Sequence, residues 1–280
     1  MGASALQEWI GRTTEAEDVV TPRLVASFHA TFAPHLAPSD GSTAPLGIHW
    51  CLAPETVEAV GLGPDGHPAR GSFLPPVPLP RRMSAGGELT LIAPLHVNDR
   101  VQRRSTIQEI AEKHGRSGPL CFVTVLHELR NESGPVVLER QVIVYRDPQP
   151  VDWGAEAVKQ DAFCQPMDHM REVSIDPVLL FRYSALTFNG HRIHYDTPYA
   201  TQSERYAGLV IHGPLQATLL LNLAATIVSH RPRSFMFRAV RPAIGCQTLR
   251  IGAASLSSDE MALAAEAADG QVTMKASVTW

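Results

Sequence analysis

The apolar positions of this chain fall into two kinds of run. Gly87-Glu-Leu-Thr-Leu-Ile-Ala93 alternates, the period of two of a half-buried strand. Arg100 to Lys113, Leu120 to Arg130 and Val136 to Tyr145 follow, with turn signals at Gly115–Gly118 and Asn131–Gly134 between them. They read as long antiparallel strands. Ile211 to Val228 is instead strongly apolar and predicts a buried helix. After it, Ser234 to Val240, Thr248 to Leu256, Met261 to Ala268 and Gln271 to Trp280 read as strands again. Nearer the N-terminus, Glu15 to Phe32 has helical spacing with acidic residues early and Pro22 in the first turn of a second helix. Gly47 to Val60 predicts a short helix ending at Gly61, and Pro64 to Pro80 an extended proline-rich stretch. Arg171 to Ile175 reads as a strand. Asp176-Pro177 then opens a helix, with Asp as N-cap and Pro at the first helical position.

The order of elements repeats. Leu89-Thr-Leu-Ile-Ala-Pro94 can be laid beside Phe237-Arg-Ala-Val-Arg-Pro242: each strand ends at proline, and three strand-like runs follow. The identities are few, so the order carries the inference. It predicts an α+β chain built from a duplicated unit of one helix and one antiparallel sheet. The expected division is residues 1–148 and 167–280, joined by a polar, proline-containing linker over 149–166.

Composition narrows the class. The chain has 280 residues, 44% of them hydrophobic and 19% charged, enough apolar material for a real core. A formal net charge of −4 argues against a general nucleic-acid binder. Cys51, Cys121, Cys164 and Cys246 lie far apart with no CxxC pair, as expected of buried thiols in a reduced compartment rather than a zinc site. The first ten residues lack the basic-then-apolar pattern of a secretory signal. No apolar stretch reaches the ~18 residues that a bilayer requires. A cytoplasmic location with no membrane partner is the expectation.

The chemistry concentrates in Phe181-Arg-Tyr-Ser-Ala-Leu-Thr-Phe-Asn-Gly-His-Arg-Ile-His-Tyr-Asp196, which gathers Asn189, His191, Arg192, His194 and Asp196. A histidine titrates near neutrality and suits proton transfer. Ile211-His-Gly-Pro-Leu215 opens the apolar helix. There, backbone N–H groups and the positive dipole end favour a developing negative charge, and Gly213 permits close approach. Two readings of the histidines remain open on residues alone. His191-x-x-His194 has the spacing of two metal ligands, but no third ligand of suitable spacing is evident. Gly213-Pro214 also serves as an ordinary helix start.

These residues carry a resemblance. The chain resembles the MaoC-like, double-hotdog hydratases and dehydratases, in the branch that holds mitochondrial 3-hydroxyacyl-thioester dehydratases and bacterial mesaconyl-C4-CoA and itaconyl-CoA hydratases. Pro80-Arg-Arg-Met-Ser-Ala-Gly-Gly87 is a weaker second marker. The resemblance implies two hotdog repeats, each a sheet wrapped around a central helix, with the catalytic set in the second and the first covering the substrate. The wider family carries Asp-x-Asn-Pro-x-His, its Asp and His forming the catalytic pair. Here the His falls on His194 and the Asp on Asn189, while His191 and Arg192 take the Asn and Pro places. An amide is no general base, so His194 is expected to be the main acid/base group. Asn189 would orient water or a substrate oxygen, and the Gly213 N–H would be the oxyanion donor. His191 and His212 are expected as substrate-binding neighbours.

The resemblance implies an acyl-CoA thioester as substrate, no metal, and no cofactor beyond the CoA the substrate carries. It leaves room for a homodimer. Arg81, Arg82, Arg233 and Arg241 are candidates for the CoA phosphates. Arg192, between two histidines, is the candidate for a free carboxylate, which favours a branched dicarboxylic enoyl-CoA of the itaconyl or mesaconyl-C4 type. The alternatives are a 3-hydroxyacyl thioester of fatty-acid synthesis and a non-catalytic acyl-CoA-binding protein. A long apolar tunnel would favour the former, and a small basic pocket the dicarboxylic substrate.

Overall fold

The computed structural model describes residues 3–115, 118–147 and 167–280. The first half comprises α1 (Ala3–Gln7), β1 (Thr13–Val19), α2 (Pro22–Phe32), β2 (Arg81–Leu91), β3 (Arg100–Gly115), β4 (Gly118–Asn131) and β5 (Gly134–Arg146). The second comprises β6 (His169–Ile175), α3 (Pro177–Leu186), α4 (Gly213–Val228), β7 (Ser234–Ala239), β8 (Gln247–Ser255), β9 (Glu260–Glu266) and β10 (Val272–Thr279). The expected linker over 149–166, and Cys164 within it, lie outside the described residues.

All ten strands form one antiparallel sheet in the order β1-β3-β4-β5-β2-β7-β10-β9-β8-β6. The order is symmetric about the β2–β7 seam. That seam pairs Gly86↔Arg238 through Thr90↔Ser234 and is centred on Glu88↔Met236. Laying Leu89 over Phe237 in sequence puts Glu88 over Met236 as well, so the alignment and the seam share one centre.

Two helix expectations change. Glu15 and Glu17 lie in strand β1, not in a helix. β1 is an edge strand in which Glu15 and Glu17 are exposed, and Glu15 pairs across the ladder with Arg104. The helix begins only at Pro22, where the Thr21 hydroxyl accepts from the Leu24 N–H at 3.1 Å. The stretch 47–60 holds one complete 3₁₀ turn, Ile48–Cys51, and the start of a second, Ala59–Gly61. Pro54 between them cannot continue a helix.

The halves differ in what fills the concave face of the sheet. In the second, α4 is buried along most of its length. Leu219, Leu220 and Leu223 share one core cluster with Leu249 and Ile251 of β8 and with Leu263 and Ala265 of β9. In the first, the described residues between α2 and β2 contain only 3₁₀ turns, so this half has no counterpart of α4. A second cluster there joins Ile107, Val123, Val125 and Tyr145 to Leu6 and Trp9 near the N-terminus, and Phe73, Leu74 and Leu79 pack against it.

The polar residues of α4 tie the halves together. Asn222 Oδ1 accepts from the Ala37 N–H at 3.1 Å, and its Nδ2 donates to the Leu46 carbonyl at 3.0 Å.

Candidate active site

The site is assembled at the ends of two helices. Asp176 caps α3 by accepting from the Leu179 N–H at 2.7 Å. The helix ends at Thr187, and Phe188 takes a left-handed conformation (φ 50°) that turns the chain away. Asn189 Oδ1 then accepts from the His191 N–H at 3.0 Å, closing a tight turn. A 3₁₀ turn, Arg192–His194, carries His194 into the interior. Its Nδ1 lies 2.6 Å from the Val210 carbonyl oxygen. A carbonyl only accepts, so Nδ1 carries the proton and a neutral His194 presents Nε2 as a base. Burial is the main cause that lowers the His194 pKa, to about 4, so the ring is neutral at pH 7.

His212 is the residue before α4. Its Nε2 lies 2.8 Å from Ser184 Oγ, and its ring stacks on that of His194 with centroids 3.6 Å apart. Burial, then the neighbouring histidines, hold it well below its ordinary value. Gly213 and Pro214 form the first turn of α4, where N–H groups have no partner within the helix. A Cβ at Gly213 would meet only Ser84 and Met274 at 3.8–3.9 Å. The protein therefore has room for a side chain there, and the bare backbone faces the cavity instead.

That cavity, about 540 Å³, collects Asn189, His191, His194, His212 and Gly213 along one wall. The structure thus brings together the expected catalytic trio and two of its neighbours. The expected arginines divide. Arg82 and Arg241 line the cavity, with Arg241 also paired to Asp269 at 2.6 Å. Arg81 is buried and its Nε lies 2.9 Å from Glu204. Arg233 is exposed and is not part of the cavity wall.

Arg192 is not part of the wall either. Its Nε and Nη2 donate to Asp196 Oδ2 at 2.9 and 2.8 Å, and its Nη1 donates to the Pro64 carbonyl at 3.0 Å. The expected carboxylate partner is occupied in holding the loop, because Asp196 sits one turn away on the same face.

A pair from the first half, which the sequence reading passed over, stands beside the motif. His67 Nδ1 lies 3.1 Å from Asp65 Oδ2, and the His67 ring is 4.1 Å from that of His191. Its placement is built in. The Arg192 N–H donates to the Asp65 carbonyl at 2.9 Å, and Gly66 lies against Gly190 backbone to backbone. Any Cβ on Gly190 would come within 2.5 Å of the Gly66 oxygen. The usable signal was Gly63-Pro-Asp-Gly-His-Pro68, a turn sequence that carries a carboxylate two residues before an imidazole. Burial opposes the Asp65 charge, but the hydrogen bonds and charge of His67 hold that carboxyl below the usual range. Burial lowers His67 itself, against the opposing hydrogen bond of Asp65. Ligating atoms of Asp65, His67 and His191 lie within 4.8 Å of one another. The donor set suits a divalent cation; with Asp65 and His67 hydrogen-bonded, it suits an acid/base dyad.

A neutral imidazole, a polar amide and a helix N-terminus around one cavity can together move a proton and stabilise an oxyanion. The model of the family described as hydroxyacyl-thioester dehydratase type 2 matches residues 47–245. The chain is 39% identical to mesaconyl-C(4)-CoA hydratase of Chloroflexus aurantiacus over 99% of both proteins. Among solved structures, HtdX of Mycobacterium tuberculosis superposes with a TM-score of 0.69 at 17% identity, covering 95% of this chain and 99% of the other. A second M. tuberculosis protein, described as having a double hotdog fold, superposes with a TM-score of 0.55 at 13% identity over 96% of each chain. The fold is a double hotdog. This chain belongs to the hydroxyacyl-thioester dehydratase type 2 family and is a hydro-lyase.

Proposed function

We propose that the protein catalyses the reversible hydration of a short, branched dicarboxylic enoyl-CoA, of the itaconyl-CoA or mesaconyl-C4-CoA type, to give citramalyl-CoA. One observation carries the reading: the neutral His194 and the unpaired N–H groups at Gly213 face the same cavity. With the thioester oxygen at the Gly213 N–H, negative charge that builds on it meets a fixed donor at a helix N-terminus. His194 Nε2 takes a proton from water as the water oxygen bonds to Cβ, and the electron pair of the double bond moves toward Cα. The resulting imidazolium returns its proton to Cα. The Asn189 amide N–H₂ group, left over when its oxygen accepts from His191, holds the water. His67, backed by Asp65, adds a second base at the position nearest His191 and offsets the loss of the carboxylate that the wider family has at position 189.

The reaction requires no metal or cofactor beyond the substrate's CoA, and Arg82 and Arg241 of the cavity lining are the candidates for its phosphates. We place the enzyme in the cytoplasm, with a homodimer as the assembly to test; among the described residues no helix is long and apolar enough to cross a membrane. The alternative, a 3-hydroxyacyl thioester of fatty-acid synthesis, calls for a long apolar tunnel. The first-half lining holds Arg103, His127 and Gln141 among apolar residues such as Leu74, Val125 and Ile143, and these polar groups favour a short polar acyl group. The relationship to a mesaconyl-C(4)-CoA hydratase supports the same choice.

The test is turnover of purified protein on enoyl-CoA esters, read as loss of the conjugated thioester absorbance. The reading expects the highest kcat/KM on mesaconyl-C4-CoA or itaconyl-CoA. Preference for chains of ten or more carbons would replace it with the fatty-acid reading, and absence of turnover on every ester with the binding-protein reading.

A further inference from the structure

The concave face of the first half carries a row of polar side chains where the second half has apolar ones under α4. Arg103 and Ser105 of β3, His127 of β4, Glu139 and Gln141 of β5, and Trp50 all line the cavity. Ser105 and Glu139 are buried. The row falls between two apolar zones of the same strands, Val101 and Leu129 on one side and Ile107 and Val125 on the other. A polar row inside a sheet's concave face costs free energy unless something polar meets it. Part of this cost is met within the row itself, and with no helix over this half the remaining polar groups face the cavity.

The row has directed chemistry. Ser105 Oγ lies 2.7 Å from His127 Nδ1, and His127 Nε2 lies 3.2 Å from Gln141 Oε1. Ser105 O–H therefore donates to His127, and His127 to the Gln141 oxygen. The Gln141 N–H₂ group is left as a donor with no acceptor among the described residues. Rotating the amide by 180° reverses the chain but still leaves a Gln141 N–H, and the Ser105 O–H, without an acceptor.

Beside these donors stands the guanidinium of Arg103, whose hydrogen bond within the protein is a long one, 3.4 Å to the Leu52 carbonyl. The acids that face it are Glu139, Glu55 and Asp18. Each is engaged elsewhere: Glu139 accepts from Trp50 Nε1 at 2.9 Å, Asp18 from the Ala53 N–H at 2.8 Å, and Glu55 from Ser72 at 3.4 Å. None forms an ion pair with Arg103 within 4.0 Å among the described residues. A planar cation and neighbouring N–H or O–H donors with no acceptor match one chemical group, a carboxylate, which accepts at both oxygens.

We propose that Arg103, with Ser105 and Gln141, seats the free carboxylate of the acyl group and selects dicarboxylic over monocarboxylic enoyl thioesters. This rests on the hydratase reading above and moves the carboxylate partner from Arg192 to the first half. The thioester end would then be held by the second half and the carboxylate end by the first, which gives the first repeat a recognition role.

The test compares kcat/KM of wild type and Arg103→Met on mesaconyl-C4-CoA and crotonyl-CoA. The loss on the dicarboxylic ester should exceed that on crotonyl-CoA by about a hundredfold or more, the scale of a desolvated charge left unpaired. Equal losses overturn the subsite and leave the hydratase reading standing. A wild-type enzyme that hydrates crotonyl-CoA but not the dicarboxylic ester overturns the dicarboxylic reading and the subsite together. Wild-type inhibition supplies a measurement that needs no variant to fold. Succinyl-CoA, saturated and unreactive, should compete at least tenfold more tightly than butyryl-CoA, on the order of one strong charge-assisted contact. Equal inhibition by the two overturns the subsite.

Discussion

At the scale of single residues, the site separates groups that move protons from groups that hold shape. In the proposed mechanism His194 is the first kind. His194→Gln should lower kcat by about 10²–10⁴, the range for a lost general acid/base, with little change in Tm. Near-normal turnover in that variant would remove His194 from the mechanism. Asn189→Asp restores the wider family's carboxylate and should stay active, whereas Asn189→Ala should not; steady-state assays of the pair decide whether a polar group is needed there. Gly213 offers a cleaner test than most active-site glycines. An added methyl would make only ordinary contacts with Ser84 and Met274. Gly213→Ala should therefore keep or raise stability while cutting kcat/KM tenfold or more, about the value of one displaced oxyanion donor or less. A fall in Tm with unchanged kcat/KM would make the glycine structural.

At the scale of elements, two contacts join the halves in addition to the β2–β7 seam. Asn222 reaches from α4 to the Ala37 N–H and the Leu46 carbonyl. Asn222→Ala leaves two part-buried backbone groups without this partner and should cost about 1–3 kcal/mol in urea unfolding. A loss below about 0.5 kcal/mol would show that water replaces the amide. The second contact is the backbone approach of Gly66 to Gly190, which seats His67 beside His191. Gly66→Ala adds a methyl where φ is +86° and the Gly190 carbonyl is in the way. It should unseat the 63–67 loop and lower kcat to about the level of His67→Gln, if the loop acts through that imidazole. A Gly66→Ala enzyme far more active than His67→Gln would mean that the loop tolerates displacement.

At the scale of the whole molecule, buried neutral histidines link stability to pH. Burial is the largest cause lowering His49 to about 3 and His127 and His194 to about 4, from 6.5. His191 and His212 shift the same way. In the unfolded chain each ring binds a proton near pH 6.5, and in the folded chain only much lower. At pH 5 unfolding therefore takes up protons. The contribution is full above about pH 6.5 and shrinks as pH falls toward the folded values, by about 1.4 kcal/mol per pH unit for each ring. Asp65 adds a loss in the same direction only below the ordinary carboxyl value of 3.8. Urea midpoints from pH 8 to pH 5 should fall steeply below about 6.5, and His49→Gln should remove about one proton from the uptake. A flat profile would mean that these rings are charged in the native state. One active site per chain is also expected, since the histidines of the proposed mechanism come from the second half apart from His67. Two equivalent acyl-CoA sites in a titration would contradict that.

What the sequence determined by itself was whatever short-range periodicity encodes. β2 to β5 and β7 to β10 announce themselves by alternation and turn residues, α4 by its apolar run, and α3 by Asp176-Pro177. The Asn189–His194 motif is contiguous and so was visible with its histidines. The symmetric order of elements pointed to a duplication before any strand was paired. The rest depended on contacts between residues far apart in the chain. Glu15 and Glu17 resemble a helix's first turn until β3 supplies a partner strand. Arg192 looks poised for a ligand until Asp196 and the Pro64 carbonyl take its donors. His67 reads as a loop residue until Gly66 meets Gly190. Gln102-Arg103-Arg104 reads as an ordinary charged strand segment, and only the sheet's curvature and the missing helix of the first half turn Arg103 toward a cavity. A side chain's neighbours within one turn or one strand are written in the sequence. Its neighbours across the seam exist only once the two halves have packed.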